Sequence, residues 1–188
     1  VYVQEQFILQ SLFDSLLSVS PDGTLHPGLA SAWQPNADFS EFTFTLRQDV
    51  TFHDGTPFKA DAVKASFDHI NSDAVLESGG KSLLQDHQYV ETVAVDDYTV
   101  TVKFAASYPL FLRDAARQWL SISSPTALEK FGTDYGRNPV GTGPFKFVQW
   151  DAQSQIVIER NPDYNWGPEF AVHEGPALLD QVVFRILP

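Results

Sequence analysis

His53 and Asp54 stand side by side, and a histidine next to a carboxylate can supply a general base or half of a metal pair. Either chemistry needs a third group at a defined spacing. No HExxH run and no paired-histidine spacing accompanies them, so His53-Asp54-Gly55-Thr56-Pro57 reads as a polar turn between a strand and a helix. His26, His69, His87 and His173 are scattered singly and read as surface or capping residues rather than metal ligands. Ser121, Ser123 and Ser124 offer hydroxyls, but no GxSxG elbow holds any of them. Ser124 instead precedes a proline in the manner of a helix cap. Gly141-Thr142-Gly143-Pro144 superficially resembles a phosphate loop. It lacks the Gly-Lys-Ser/Thr ending, and Pro144 removes an N–H donor where a cradle needs one, so it reads as a tight loop. The carboxylate pairs Asp96/Asp97 and Asp61/Asp68 fall in a turn and on an exposed helix face. These residues yield no catalytic group, no metal ligand and no cofactor.

The aromatic residues fit a different chemistry. Tyr2, Trp33, Tyr89, Tyr108, Trp119, Trp150, Tyr164 and Trp166 combine large rigid faces with a polar handle, which is how a cleft holds an organic ligand. Taken singly, most of them read as ordinary core or rim residues.

The elements that would position these residues are an α+β mixture, strand-rich in the middle. Phe7, Ile8, Leu12, Phe13, Leu16 and Leu17 recur at spacings of three and four, which predicts an opening helix with one apolar face. Ser20-Pro21-Asp22-Gly23 reads as a turn. Phe42, Phe44 and Leu46 alternate with polar residues as a half-buried strand. Val63, Phe67 and Ile70 mark a short helix with Asp61 in its first turn. Asn71 to Gly80, with paired glycines and no periodicity, reads as a loop. Val90–Val95 and Tyr98–Phe104 read as a hairpin about Asp96-Asp97. Pro109 to Ala116 reads as a helix, and a second one is framed by Ser124-Pro125 at its start and Gly132 at its end. Phe145–Trp150 and Gln155–Arg160 form a strand pair, and Gln181–Ile186 is an apolar strand.

The chain has 188 residues, 43% of them hydrophobic and 13% aromatic, which excludes a disordered or fibrous protein. Asp and Glu number 24 against 12 Lys and Arg, a net charge of −12 that argues against nucleic acid or an anionic membrane as partner. Cysteine is absent, which excludes disulfides and CxxC redox chemistry. No apolar run approaches the roughly 20 residues a membrane span requires. Methionine is absent even at position 1, which reads as a start after processing or inside a longer gene product.

Three segments together resemble the family 5 extracellular solute-binding proteins of ABC importers. They are Asp22-Gly23-Thr24-Leu25-His26-Pro27-Gly28-Leu29-Ala30-Ser31-Ala32-Trp33, then the run from Phe42 through Leu46-Arg47 to Phe52-His53-Asp54-Gly55-Thr56-Pro57-Phe58, then Asn138-Pro139-Val140-Gly141-Thr142-Gly143-Pro144-Phe145 followed by Arg160-Asn161-Pro162-Asp163-Tyr164. Asp49 and Lys59 depart from the residues usual in the family, and Asn165 delays the Trp166-Gly167 that follows Tyr164. The resemblance implies a periplasmic-binding-protein-like fold of type II, cluster C. The chain would be an amino-terminal fragment, a partial lobe I carrying the family's extra subdomain. It would divide into residues 1–39 (lobe I, first part), 40–137 (extra subdomain) and 138–188 (lobe I return, truncated).

Function follows from the same resemblance: a substrate-binding component that captures peptides and delivers them to an ABC transporter permease, without being an enzyme. It would act in the periplasm or outside the cell, membrane-associated through the importer, with room for a lipid anchor upstream. Val1, Tyr2, Leu83, Trp119 and Ser121 match cleft-lining positions. Tyr2 and Trp119 would pack against the ligand and Ser121 would hydrogen-bond it. The alternatives are a nickel complex or another small solute within the family and, from another class, a serine/histidine hydrolase using His53, Asp54 and a serine. The nickel-binding members use an Arg near the position of Ser121, whereas Arg113 and Arg117 lie several residues upstream.

Overall fold

The computed structural model describes residues 3–73, 75 and 78–186, with side chains from residue 6 onward. Chain order runs α1 (Val3–Leu12), β1 (Leu17–Val19), β2 (Leu25–Pro27), β3 (Ala30–Pro35), β4 (Glu41–Leu46), α2 (Ala60–Asn71), α3 (Gly79–Asp86), β5 (Tyr89–Asp96) and β6 (Thr99–Phe104). It continues through α4 (Phe111–Asp114), a 3₁₀ turn (Gln118–Leu120), α5 (Pro125–Phe131), a second 3₁₀ turn (Gly132–Arg137), β7 (Phe145–Asp151), β8 (Gln155–Arg160) and β9 (Gln181–Arg185). The strands form three antiparallel sheets, β1-β2, β3-β4-β6-β5 and β7-β8-β9.

The alternation in β4 and β6 makes the larger core. Phe42, Phe44, Val100, Val102 and Phe104 turn inward, where α2 brings Val63 and Phe67. Phe111 is fully buried in their midst, its ring centroid 4.8 Å from those of both Phe42 and Phe104. A smaller core lies under β7-β8-β9, where Leu12 and Phe13 meet Ala127, Tyr135 and Ile158. Leu16 and Leu17 belong to the first core, so the chain passes from one core to the other across Asp14 and Ser15.

The opening helix is shorter than its apolar spacing predicts. It stops at Leu12, and Leu17 lies in β1. The competing partner is the backbone beyond β2: Leu29 N donates to Ser15 O at 3.0 Å and Ala30 N to Leu16 O at 2.9 Å, which draws this segment into extended pairing. Phe7, expected on the apolar face, is 58% exposed. The helix expected over 109–116 is regular only over α4. The region expected to be a loop up to Gly80 already contains the start of α3, whose Ser78 side chain caps Lys81 N. Three further strands, β1, β2 and β3, stand before Phe42, where the sequence indicates only the opening helix and the Ser20–Gly23 turn. In the β5–β6 hairpin the turn falls on Asp97-Tyr98, one residue later than the sequence indicates. Elsewhere the expectation and the structure agree. Ser124 caps α5 through Ala127 N with Pro125 in the first turn, and Gly132 ends the helix at φ +50°. Lys59 precedes α2 without a side-chain cap. The residue 39/40 division falls between β3 and β4, which are hydrogen-bonded neighbours.

Gly141-Thr142-Gly143-Pro144 is the joint that locks these parts together. His53 N donates to Gly141 O at 2.9 Å and Gly143 N to Leu12 O at 3.0 Å. A Cβ at Gly141 would sit 2.1 Å from Leu12 O, and one at Gly143 would sit 2.6 Å from Ser11 O. Both positions need glycine because two backbones touch there. The loop is a structural clasp, as its missing phosphate signature indicates.

Candidate functional site

Asp14 sits where the two cores meet. Thr142 Oγ1 donates to its Oδ2 at 2.8 Å, Trp166 Nε1 to the same oxygen at 3.0 Å, and Tyr164 Oη to Oδ1 at 3.3 Å. Burial pushes this carboxyl above the ordinary carboxylate range, against the pull of its three donors. Tyr164 and Trp166 are therefore buried residues tied to a buried acid, and burial likewise raises the Tyr164 phenol.

Beside Asp14 opens a cleft of about 620 Å³. One wall is the α1–β1 link with Phe13 and Ser15. A second is the segment from Arg113 through Gln118, and the third is the limb from Tyr164 to Phe170. The rings of Phe13, Tyr164, Trp166 and Phe170 give this space apolar surface, while Arg113 and Arg117 give it positive charge. Arg117 is held from behind. Its Nε lies 2.9 Å from Asp114 Oδ1, and its guanidinium carbon sits 5.5 Å from the ring centroid of Trp119. Asp114 is itself buried and accepts the hydroxyl of Tyr108, whose ring stacks on His87 at 3.6 Å. Arg113 makes no ion pair among the described residues; its Nη1 lies 3.9 Å from where a Cβ on Gly23 would be.

Of the expected ligand-facing residues, Val1 and Tyr2 lie outside the described residues. Trp119 and Ser121 follow Gln118 directly on the chain, so they flank the cleft rather than line it. Trp119 packs over the start of α3: a Cβ on Gly79 would meet its ring at 2.7 Å and one on Gly80 its carbonyl oxygen at 2.3 Å. Its indole Nε1 is buried without a hydrogen-bond partner among the described residues. Leu83, on the same helix, is half-buried against the larger core. Trp119 thus sits over the helix that carries Leu83, and none of Leu83, Trp119 and Ser121 is among the residues lining the cleft. Asp14, Arg113 and Arg117 were not singled out from the sequence as site residues. The available signals were an acid inside the apolar run Leu12-Phe13-Asp14-Ser15-Leu16 and two arginines four residues apart, Arg113 on α4 and Arg117 just past it.

No hydrolytic triad forms from His53, Asp54 and a serine. His53 Nε2 pairs with Gly143 O at 3.0 Å and its Nδ1 is buried without a partner among the described residues, so the imidazole bonds to neither a carboxylate nor a hydroxyl there. Burial holds His53 down at about 4. Ser124 Oγ donates to Asp54 Oδ2 at 2.6 Å and also caps α5. Among the described residues no three His, Asp or Glu side chains stand together as a metal cage, and no helix is long and apolar enough to cross a membrane.

The model of the bacterial extracellular solute-binding proteins, family 5 Middle, matches residues 24–188. A glutathione-binding protein GsiB of Pectobacterium atrosepticum is 32% identical over 181 residues, covering 96% of this chain and 33% of that protein. The solved structure of AgaA from A. tumefaciens R10 with agropinic acid superposes with a TM-score of 0.82 at 27% identity, over 96% of this chain and 34% of that one. DppA of Helicobacter pylori, solved with the peptide STSA, gives a TM-score of 0.77 at 29% identity, over 95% of this chain and 37% of that one. The chain spans about a third of the length of the relatives it matches.

Proposed function

We propose a function from one premise: the chain belongs to the bacterial extracellular solute-binding proteins, family 5. The protein it represents is the substrate-binding component of an ABC importer, capturing peptides outside the cytoplasmic membrane and delivering them to the permease. The observation that carries this reading is the joint likeness to a glutathione-binding and a peptide-binding relative across nearly the whole chain, glutathione itself being a tripeptide. A cleft with apolar walls and few charged groups supports it, because a peptide presents apolar side chains along a hydrogen-bonding backbone.

Capture needs no bond to be made or broken, so this reading makes the protein a binding component and not an enzyme. It acts in the periplasm or outside the cell and associates with the membrane through its permease. Residues 1–39 and 138–188 are parts of lobe I, with 40–137 as the inserted subdomain. From the resemblance, Val1, Tyr2, Leu83, Trp119 and Ser121 face the ligand where it extends past the rim of the cleft, with Tyr2 and Trp119 packing against it and Ser121 donating or accepting a hydrogen bond. The lobes close on binding, which shifts the population toward the closed form.

Native mass spectrometry of the full-length protein, purified gently from its own host, tests the reading. A ladder of peptide masses riding on the protein is expected. A single adduct with a metal isotope pattern would replace peptide by a metal chelate.

A further inference from the structure

We infer that Asp14 and His26 are positioning residues for ligand capture: they pin the two ends of the Tyr164–Phe170 limb and so set the third wall of the cleft. The inference rests on the peptide reading above and adds to it the residues that shape this wall. The limb has no regular structure to hold it. Residues 165–179 lie in no helix or strand, and their one backbone–backbone hydrogen bond among the described residues is internal, from Ala171 N to Pro168 O at 2.9 Å. A wall without a ladder keeps its place through side chains. At its start the anchor is Asp14, which accepts from Tyr164 Oη at 3.3 Å and from Trp166 Nε1 at 3.0 Å. Thr142 holds the same carboxylate from the clasp at 2.8 Å, and Trp166 Nε1 also reaches Thr142 O at 3.2 Å. Limb, clasp and α1–β1 link therefore meet on one buried acid. At the far end Phe170 is 39% exposed, and its ring centroid lies 5.1 Å from that of His26. His26 is braced in turn. Its Nε2 lies 3.0 Å from Ser20 Oγ, and Ser20 donates its hydroxyl hydrogen to Asp22 Oδ1 at 2.5 Å. With that hydrogen spent, Nε2 is the donor to Ser20, which steadies the imidazole against Phe170. Phe170 lines the cleft and His26 does not, so His26 acts on a ligand through that ring.

The test is isothermal titration of the full-length protein with alanyl-alanyl-alanine and alanyl-phenylalanyl-alanine, together with hydrogen exchange of the limb. The proteins are the wild type, Asp14→Ala, Asp14→Asn and His26→Ala, each titrated at a temperature where circular dichroism shows it folded. Asp14→Ala should bind both peptides about tenfold or more weakly, whereas Asp14→Asn, which keeps an acceptor oxygen, should stay within about threefold of the wild type. His26→Ala should lose about threefold or more in its preference between the two peptides, because it frees the one aromatic ring at the limb's far end. A purely structural role would lower the unfolding midpoint but leave the affinities of the folded protein, and their ratio, unchanged. Amide exchange across residues 164–171 should quicken in Asp14→Ala and His26→Ala and hold in Asp14→Asn. Wild-type affinities in folded Asp14→Ala overturn the role of Asp14, and a wild-type ratio in His26→Ala overturns that of His26. His26 is only half-buried, so its variant decides the matter if Asp14→Ala does not fold. If the wild type binds neither peptide, the peptide reading falls, while faster exchange of the limb in the two alanine variants still upholds the pins and unchanged exchange overturns them.

Discussion

Asp14 is one carboxyl among 24 acidic residues, yet Thr142, Tyr164 and Trp166 all converge on it. Removing the acceptor leaves three donors behind, and a buried unpaired donor costs about 1–3 kcal/mol. Asp14→Ala should therefore destabilise by about 3 kcal/mol or more, read as a fall in the urea midpoint, whereas Asp14→Asn, which keeps an acceptor oxygen, should lose less. Equal losses would mean that volume, not the hydrogen bonds, matters at this site. His53 sets a pH dependence of definite sign. Unfolded, it titrates near its ordinary 6.5; folded, burial holds it at about 4. Between those values the unfolded chain takes a proton that the fold refuses, so stability falls as pH drops from 6.5 toward 4 and the loss levels off below. The effect amounts to at most about 3 kcal/mol at the usual exchange of 1.36 kcal/mol per pKa unit. Asp14, raised in the fold, works in the opposite direction and returns part of the loss as it protonates. The measurement is the stability difference between pH 7 and pH 4.5 in the wild type and in His53→Gln, which share every other titrating group. The variant should show the smaller drop.

Among the elements, α3 shows how the sequence both reveals and conceals. The Gly79-Gly80 pair reads as loop because glycine is a poor helix former, but here the absent side chains admit Trp119. A Cβ on Gly80 would lie 2.3 Å from the Trp119 carbonyl oxygen, and backbone cannot step aside as a flexible side-chain tip can. Gly80→Ala should thus cost about 1–3 kcal/mol by overpacking, more than the helix propensity it gains. It should also disturb Trp119, visible as altered tryptophan fluorescence. Gly136→Ala, with nothing within 4 Å of the new methyl, is the matched control and should be near neutral. Elements whose signal is local were legible: the Ser124-Pro125 start and Gly132 stop of α5, and the alternation of β5–β6 and β7–β8. Elements decided by distant partners were not. Leu16 and Leu17 keep helical spacing with Leu12 and Phe13, but the backbone at Leu29 and Ala30 claims their segment for extended pairing. The candidate site shares that limit. Trp119 and Ser121 stand out as aromatic and hydroxyl positions, while Arg117 is held at the cleft through Asp114 and Tyr108, which no local pattern announces.

At the scale of the molecule, the cleft lies on the seam between two cores. Phe13 belongs to the smaller one, and Leu17, Tyr164 and Trp166 belong to the larger. The Gly141–Pro144 clasp ties the seam shut from behind, through His53, Leu12 and Asn161, so this wall is preorganised rather than formed by the ligand. Its opposite side is open, with Arg113 and Arg117 both exposed to solvent. A small-molecule site normally buries about 70–90% of its ligand, which a cleft open on one side cannot do. The relatives are about three times as long as this chain, since it covers 33% of the GsiB relative. In the two-lobe reading the rest of such a protein supplies the facing wall. Residues 1–188 on their own should then bind alanyl-alanyl-alanine at least about 100-fold more weakly than the full-length protein, because half the contacts and the exclusion of water are lost together. Paired titrations of the two proteins under the same buffer measure that ratio. Comparable affinities would mean that this wall alone makes the site, and that closure of two lobes contributes little to capture.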